Sequence, residues 1–314
     1  MNTEFLFFVP VPLLAFVVDM VLGDPHSWPH PVKFIGIIIN RFEALCRNLE
    51  NRIPLVISGA VSILLITVFV AGATKAITSL PLGILFTLYL AYAGLALKSL
   101  VQEARNVLAL LNQKTIEEAR TGLSMLVSRD TSTMNAEAIR RSLAETISEN
   151  FNDGFVAPFL YLSLFGVPGL WAYKTINTFD SMWGYKTARF SKLGMFAAKI
   201  DDILNWIPAR LSWLLLCLVG WPMGLASVTA LSKTPAQART MESPNAGWPM
   251  ACSAWLLKAP MGGAVTYFGS TKQKPHLGPQ NGTWTNQKLK TLLRLIIRTG
   301  WFTAAVSTTI YLCC

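Results

Sequence analysis

One polar segment, Ser128–Phe159, holds the densest group of side chains that could do chemistry. Glu145 and Glu149 lie four residues apart, so they share one face of a helix, and Asn150 and Asp153 follow them. Two carboxylates on one face repel each other unless a cation or a proton lies between them. Magnesium with nucleotide phosphates would relieve that repulsion. An exposed helix whose neighbouring arginines balance the acids is the alternative.

The same segment begins with Arg129 and Asp130, which are either a phosphate contact or a structural ion pair. A second polar loop, Gly23–Gly36, offers Asp24, His26, His30 and Lys33 within a turn that prolines and glycines make rigid. That loop is either part of a site or a helix-terminating turn, in which His30 makes a structural hydrogen bond.

Two more polar groups lie beside apolar stretches. One helical turn carries Asn177, Asp180 and Ser181, and a later segment carries Asp201, Asp202, Asn205 and Arg210. Ionisable residues next to hydrocarbon are costly, so they line a cavity or pair with one another, and both interpretations stay open.

The segment Ser243–Gly269, which includes Asn245, is rich in proline and glycine and predicts a structured loop with tight bends. Its aromatic residues, among them Trp248 and Trp255, would either contact a bulky ligand or anchor the chain at a membrane interface.

The elements that must position these residues are membrane helices. Of the 314 residues, 52% are hydrophobic and 14% are charged, against roughly 25% charged in an ordinary soluble domain. The mean hydropathy is +0.43. Both values predict an all-α polytopic membrane protein with four to six membrane helices. The candidate spans are Phe5–Leu22, Leu55–Ala73, Leu80–Leu97, Phe155–Tyr173, Ile207–Leu231 and Leu292–Leu312.

Residues 1–314 are therefore predicted to form a single integral membrane domain, with residues 98–154 and 232–291 as the main polar, cytoplasmic segments. Within the first of these segments, apolar residues recur at helical intervals, which predicts packed soluble helices. The positive-inside rule places the loop with Lys33, Arg41, Arg47 and Arg52 inside. Prolines and glycines interrupt the spans 155–173 and 207–231, so we expect a re-entrant pair there.

The remaining composition narrows the function. The net charge of +10 reflects topology-determining lysines and arginines, with some room for anionic substrates, and no nucleic-acid partner is expected. The five cysteines show no spacing typical of a metal site or a disulfide framework. No P-loop, dinucleotide-binding, HExxH or GxSxG motif is present.

These segments together resemble the adenosylcobinamide-phosphate synthase family of cobalamin biosynthesis, the CobD/CbiB type. GDP with PHPV, SRDTS with ENFNDGFVAP, NTFDSMWGY, DDILNWIPARL and SPNAGWP occur in the family's order between Asp19 and about Gly278. The second, third and fourth of these are specific individually, and all of them together are highly specific.

The resemblance implies a ligase of the cell inner membrane with a cytoplasmic active site. It would join adenosylcobyric acid, a corrinoid, to (R)-1-aminopropan-2-yl phosphate or ethanolamine phosphate, with ATP and Mg²⁺ as expected cofactors. The implied course is phosphorylation of the carboxylate, attack by the neutral amine and loss of phosphate. Membrane lipid and other enzymes of cobalamin assembly are the further partners that it implies.

The resemblance also suggests roles for the polar residues. The candidate catalytic residues are Glu145, Glu149, Asp153, Asp180, Asp201 and Asp202, and Glu145, Glu149 and Asp180 are the candidate magnesium ligands. The candidate substrate-binding residues are Asp24, His30, Lys33, Arg129, Asp130, Asn150, Lys174, Asn177, Ser181, Arg189, Asn205, Arg210 and Asn245.

The chain departs from the family's pattern at four positions. Lys174 and Lys199 stand where arginine is expected, which keeps the charge but loses bidentate geometry. Met250 and Pro279 stand where acids are expected. These departures leave room for an altered substrate, and a non-catalytic, AmpE-like membrane sensor of related fold is the alternative function. A transporter is a weaker third hypothesis, because no repeat symmetry is visible.

Overall fold

The computed structural model of the chain describes residues 10–25, 28–267 and 270–313. Within these residues the protein is mainly helical, with a single two-stranded hairpin, which confirms the predicted all-α class. The elements in chain order are α1 (Val11–Leu22), α2 (Pro31–Asn48), α3 (Leu55–Thr78), α4 (Gly83–Ala93), α5 (Leu97–Gln113), α6 (Ile116–Ser124), α7 (Ala136–Phe151), a π-helical turn (Asn152–Val156), α8 (Ala157–Trp183), α9 (Met195–Leu204), α10 (Trp206–Gly220), α11 (Ser227–Ala238), α12 (Gly247–Leu256), β1 (Met261–Tyr267), β2 (Ser270–Leu277) and α13 (Asn286–Cys313).

The contacts divide the chain into two compact units, each built from separated segments. Unit 1 comprises Met1–Ala96, Ala157–Asn205 and Val306–Cys314, and unit 2 comprises Leu97–Val156 and Trp206–Ala305. Unit 1 therefore contains α1 to α4, α8 and α9. Unit 2 contains α5 to α7, α10 to α12, the two strands and most of α13. The predicted single membrane domain and its cytoplasmic polar segments stay a prediction.

Three helical stretches of the described residues are long and apolar enough to cross a membrane. They are α3 (Leu55–Thr78), the consecutive helices α4 and α5 (Gly83–Gln113), and α7 with the π-helical turn and α8 (Ala136–Trp183). The count becomes four if the bent pair α9 and α10 forms one span, which reaches the lower end of the predicted range. Helix α1 is apolar but short, and residues 5–9 of its predicted span lie outside the described residues. Helix α13 covers the predicted last span but is not among the three.

Both spans that the sequence marks as interrupted are irregular in the structure. Helix α8 follows directly on the π-helical turn and kinks at Gly166, which has φ 64° and lies two residues before Pro168. Helix α10 ends at Gly220, and a turn through Gly224, with φ 71°, follows it. The prolines and glycines therefore shape these helices as the sequence predicts.

Helix α3 shows the surface of a helix that faces lipid. One side carries large apolar residues that are 48–66% exposed, namely Val61, Leu64, Leu65, Val68 and Phe69. Its other side packs against α8 and α9, where Gly59 comes so close to Leu193 that an added Cβ would lie 2.1 Å from the Leu193 carbonyl oxygen. Water does not favour such an exposed apolar side, whereas hydrocarbon does.

Short polar motifs begin two helices of unit 2, α6 and α7. Thr115 and Glu118 form a reciprocal capping box at the start of α6, and Asn135 caps α7 by accepting from the Ala138 amide at 2.9 Å. The helices predicted within residues 98–154 are thus confirmed as α5, α6 and α7, and their placement outside the membrane stays a prediction.

The prediction of a loop at Ser243–Gly269 is wrong over much of that segment. Residues Gly247–Leu256 form α12, because Pro249 falls in the first helical turn, where proline is tolerated, and the apolar residues after it are buried. Strand β1 follows and pairs antiparallel with β2. Trp248 is only 5% exposed and packs in the core, so neither interpretation of the aromatic residues describes it, and Phe268 lies outside the described residues.

An ion-pair cluster in unit 1 joins α2 to the segment before α9. The buried Glu43 carboxylate accepts from Arg47 Nε at 3.1 Å and from Arg189 Nε at 2.9 Å, and Arg47 Nη2 donates to the Arg189 carbonyl at 2.6 Å. Burial raises the pKa of the Glu43 carboxyl, but the hydrogen bonds and charges of Arg189 and Arg47 outweigh it and hold the pKa below its ordinary value.

The Glu43 cluster predicts a pH-dependent stability. The native pKa lies below the unfolded value of about 4.3, so the carboxylate stabilises the fold fully above that value and loses its effect as the pH falls through the native pKa. We expect Glu43→Gln to cost about 2 kcal/mol at pH 7. Thermal denaturation in detergent should show a melting-temperature difference from the native chain at pH 7 that shrinks as the pH is lowered below the unfolded pKa.

The control for this prediction is Glu50→Gln, which changes an exposed glutamate just after the same helix. It should leave the melting temperature unchanged at both pH values. A difference for Glu43→Gln that stays constant with pH would contradict the prediction.

Candidate functional site

In unit 1, the polar residues of α8 and α9 converge on the carboxylate of Asp201, which is 9% exposed. Asn177 Nδ2 donates to its Oδ1 at 3.2 Å, and Asn205 Nδ2 donates to its Oδ2 at 3.0 Å. The hydroxyl of Tyr173 in turn donates to Asn205 Oδ1 at 3.1 Å. Each carboxylate oxygen thus has a donor, which offsets the loss of water around a buried acid.

Two stacked tyrosine rings hold the residues around Asp201 in place. The ring of Tyr161 stacks on that of Tyr173 with 4.9 Å between centroids, and the Tyr161 hydroxyl donates to the Leu204 carbonyl at 3.0 Å. Two tyrosines therefore fix the end of α9 and the Asn205 carboxamide against α8. The aspartate is held in one place with both oxygens oriented.

Further predicted residues surround Asp201. Lys174 on α8 attracts the Asp201 carboxylate and Asp202 repels it, and both side chains are half-buried. Asp180 lies near the end of α8 over Gly184, where an added Cβ would come within 2.1 Å of Asp180 Oδ1. Exposed Ser181 donates to the Asn177 carbonyl of its own helix. The structure thus brings Lys174, Asn177, Asp201, Asp202 and Asn205 together.

The loop after α1 is tied down from two sides. His30 begins α2 and its Nδ1 accepts from the Val32 amide at 3.3 Å, while its Nε2 lies 3.5 Å from Asp24 Oδ1. The hydroxyls of Tyr92 and Tyr89 donate to the carbonyls of Gly23 and Pro29. The structural hydrogen bond expected for His30 is thereby confirmed.

The other residues predicted in unit 1 lie apart from these contacts. Lys33 is exposed on α2, and Arg189 pairs with Glu43, so a protein carboxylate already balances its charge. His26 lies outside the described residues.

In unit 2, the fully buried carboxylate of Glu145 holds the hairpin to α7. Arg129 Nη1 lies 2.6 Å from Glu145 Oε2, and the Gly262 amide donates to Oε1 at 2.7 Å. The Asp130 amide also donates to the Thr266 carbonyl of β1 at 2.9 Å. Gly262 has φ 84°, and an added Cβ would lie 2.0 Å from the Pro275 carbonyl oxygen, so only glycine fits.

Glu149 lies one turn further along α7 and differs from Glu145. It is half-buried, and its carboxylate makes no hydrogen bond or salt bridge with any residue that the structure describes. Its electrostatic neighbours are Lys274 and Arg129, which attract it, and Glu145, which repels it. Asn150 beside it is exposed. Since α7 is largely buried, the alternative of an exposed helix does not describe it.

Asp153 lies in the π-helical turn after α7. Asn152 Nδ2 donates to Asp153 Oδ1 at 2.8 Å, and Ser212 Oγ donates to Asn152 Oδ1 at 2.9 Å. Turns of this kind occur frequently at functional sites. The buried Asn152, which the sequence did not single out, therefore positions the predicted Asp153.

Arg210 on α10 lies between two indole rings. Its guanidinium carbon is 4.1 Å from the Trp206 ring centroid and 4.5 Å from that of Trp248. Arg210 Nη1 donates to the Trp206 carbonyl at 2.7 Å and to Asn245 Oδ1 at 3.3 Å. The structure thus brings together Arg210 and Asn245, which the sequence predicted separately.

A cleft of about 420 Å³ opens beside Arg129 and Asp130. Its other lining residues are Glu117, Arg120, Thr121, Ser124, Thr131 and Ser132. The amide of Ser132 donates to Asp130 Oδ1 at 2.9 Å, and this contact lowers the pKa of the Asp130 carboxyl. Two acids and two arginines line the cleft, and the arginines are paired, Arg120 with Glu117 at 3.7 Å and Arg129 with Glu145, so the cleft offers mainly hydroxyl groups to a ligand.

No group of three or more histidines, cysteines, aspartates or glutamates within the described ranges is placed to hold a metal ion. Glu145 is matched by Arg129 and Gly262, so of the three predicted ligands Glu149 is the carboxylate whose oxygens no described residue contacts. The proposed ligand set of Glu145, Glu149 and Asp180 stays a prediction.

The fold defines a helical protein with apolar spans and buried, compensated carboxylates. A family model described as CobD/CbiB protein matches residues 12–296, which is most of the chain. The chain therefore belongs to the CobD/CbiB family, as its motifs suggested.

The relatives are similar over most of their length. The cobalamin biosynthesis protein CobD of Photorhabdus laumondii is 38% identical over 85% of this chain and 86% of its own length. CbiB of Salmonella arizonae is 36% identical over 84% and 85%, respectively. CobD of Listeria monocytogenes is 33% identical over 95% and 96%. No solved structure matches the chain at a significant level.

Several residues that complete these groups are not among the predicted site residues. Glu43, Asn152, Tyr173 and Gly262 contact predicted residues, and Tyr161 stacks on Tyr173. Two signals could have found some of them: Asn152 stands within ENFND, and Tyr173 stands one residue before Lys174. Gly262 belongs to the glycines that predict tight bends, but nothing in the sequence places it against Glu145, and Glu43 gave no signal, because these partners are distant in sequence.

The buried pair Arg129 and Glu145 predicts a structural effect. Glu145→Gln removes the charge that matches Arg129 and should cost about 3 kcal/mol. We expect a lower melting temperature in detergent and faster tryptic cleavage after Lys272, because the hairpin loses its attachment to α7.

Glu137→Gln serves as the matched control, since Glu137 is exposed in the first turn of the same helix. It should change neither measurement. Equal melting temperatures for both variants would show that the buried pair does not hold the hairpin.

Proposed function

We propose that the chain is an adenosylcobinamide-phosphate synthase of the cell inner membrane, with its active site on the cytoplasmic side. The observation that carries this proposal is the identity of 33–38%, over 84–95% of the chain, to proteins named for cobalamin biosynthesis. The carboxylate of Glu149 in unit 2 supports it, because a sensor or a scaffold has no need for an acid without a hydrogen-bond partner. An altered amine substrate remains compatible with Lys174, Lys199, Met250 and Pro279.

The proposed reaction forms one amide bond. The propionate carboxylate of adenosylcobyric acid takes the terminal phosphoryl group of ATP, which leaves ADP and an acyl phosphate. The neutral amine of (R)-1-aminopropan-2-yl phosphate or ethanolamine phosphate then attacks the acyl carbon. Inorganic phosphate leaves with the carbon–oxygen bond electrons, and the proton of the amine passes to a protein base or to water.

In unit 2, the residues around Glu149 suit a phosphorylated ligand. Lys274 and Arg129 attract the Glu149 carboxylate, but Arg129 already pairs with Glu145, so a phosphorylated ligand that brings a cation would balance the charge of Glu149. The adjacent cleft at Arg129 and Asp130 adds hydroxyl donors. We assign Glu149 to the ligand and Glu145 to the framework.

In unit 1, Asp201 is the candidate acid–base group. Its two carboxamide donors fix the carboxylate, and Lys174 lies close enough to attract it. A carboxylate oriented in this way can accept a proton from the substrate ammonium, which frees the neutral amine to attack. The half-buried Asp180 and Asp202 are further candidates.

A magnesium ion would need only one or two carboxylate ligands from this chain. Mg²⁺ in nucleotide sites keeps several waters and is bound through one or two carboxylates together with substrate phosphates, so a cluster of three acids is not required. Glu149 is the carboxylate that suits this role, because no described residue contacts its oxygens. When bound, the metal would neutralise phosphoryl charge.

A direct assay tests the proposed function. The protein purified in detergent is incubated with ATP, magnesium and adenosylcobyric acid, and aminopropanol phosphate or ethanolamine phosphate is supplied in separate reactions. Mass spectrometry should detect the amide product of at least one amine, and omission of ATP should abolish it. No product beside an active family member would favour the non-catalytic, AmpE-like alternative.

Glu149→Gln separates a functional carboxylate from a structural one. The substitution keeps the volume and breaks no protein contact, so we expect an unchanged or raised melting temperature. The rate of amide formation should fall by about 100-fold or more. Native activity in this variant would remove Glu149 from the site.

The comparison with Glu145→Gln sharpens that test. The two glutamates lie four residues apart on one helix, yet one substitution should act on stability and the other on activity. A loss of stability in both variants would instead assign Glu149 to the framework.

A further inference from the structure

Helices α5 and α13 line a groove of about 470 Å³ in unit 2. Its residues on α5 recur at intervals of three and four, so they lie on one helix face, and the same holds on α13. The lining residues are Arg105, Leu108, Ala109, Asn112 and Gln113 from α5, and Lys290, Leu293 and Arg294 from α13.

The charge of this groove is one-sided. Arg105, Lys290 and Arg294 line it, and no acidic residue does. None of these three cations forms a salt bridge with a residue that the structure describes. Like charges around one cavity repel each other, so an anion bound there would gain from all three.

The floor and the end of the groove are already formed. Leu108 and Leu293 are 4% and 3% exposed, and they give the groove an apolar base. At one end Asn286 Nδ2 donates to Asn112 Oδ1, and Arg140 Nε donates to Asn286 Oδ1 at 2.6 Å. Because its oxygen is engaged, the Asn112 carboxamide can present its NH₂ group to a ligand.

We propose that this groove binds a phosphate-bearing anion. The guanidinium groups of Arg105 and Arg294 match two phosphate oxygens each, and the Lys290 ammonium adds a point charge. The volume lies within the range of small-ligand sites. The ligand is either an acidic phospholipid, whose acyl chains would cover the apolar base, or a soluble phosphate compound.

This site lies outside the proposed reaction. None of its cations belongs to the groups around Asp201, Glu149 or Arg210, and its occupation does not depend on the proposed function. A binding measurement therefore tests it without an activity assay.

Native mass spectrometry of the full chain in detergent separates the two sources. One titration uses phosphatidylglycerol, with diacylglycerol of the same acyl chains as the comparison that lacks the phosphate. The other uses inorganic pyrophosphate. We expect saturable binding of one of the two anions, and no comparable binding of diacylglycerol.

The test variant is Arg105→Gln/Arg294→Gln, which should raise the Kd of the bound anion by about tenfold or more for each lost arginine contact. The control variant, Lys114→Gln/Arg298→Gln, removes the same charge from exposed positions that do not line the groove. It should bind as the native chain does. The single substitution Arg105→Gln, with an intermediate loss, covers the case in which the double variant fails to fold.

Each outcome decides the proposal. Loss of phosphatidylglycerol binding in the test variant alone identifies a lipid site, and loss of pyrophosphate binding alone identifies a site for a soluble phosphate compound. Equal weakening in the test and control variants would reduce the effect to net charge and overturn the proposal. Failure of both anions to bind the native chain would overturn it as well.

Discussion

A carboxylate that leaves water inside an apolar helical protein must find donors, and this requirement organises the described structure. Glu145 is matched by an arginine and a backbone amide, Asp201 by two carboxamides, and Glu43 by two arginines. Each match joins elements that are distant in sequence, since an unmatched buried charge costs several kcal/mol. The acids therefore fix α7 to the hairpin, α8 to α9, and α2 to the segment around Arg189.

Glu149 differs from these acids, because no described donor binds its carboxylate. It lies on the same helix as Glu145, close to the same arginine, and still its carboxylate makes no hydrogen bond or salt bridge with a described residue. Glu145, Asp201 and Glu43 are each held by donors, so a carboxylate without one stands out, and such acids are typical of binding and catalytic sites. The π-helical turn directly after α7 supports this view, because it places the supported Asp153 two turns or less away from Glu149.

Local patterns in the sequence predicted much of the fold. Hydropathy identified α3, α4 and α8, helical periodicity and caps identified α5 to α7, and prolines and glycines marked the interruptions near Gly166 and Gly220. The site was predictable as a set of residue types but not as contacts. The attachment of Gly262 to Glu145 spans more than a hundred residues, and the helix at Gly247–Leu256 depends on burial that its prolines and glycines conceal.

The discontinuous composition of the two units has a consequence for biogenesis. Helix α3 is synthesised before its packing partners α8 and α9, and all of α4 to α7 is made in between. The side of α3 that carries Ser58, Gly59 and Ser62 must therefore wait in the translocon or in lipid until the second half of the chain arrives. Insertion order, and the chaperones that shield such polar surfaces, thus bear on how much functional protein a cell obtains.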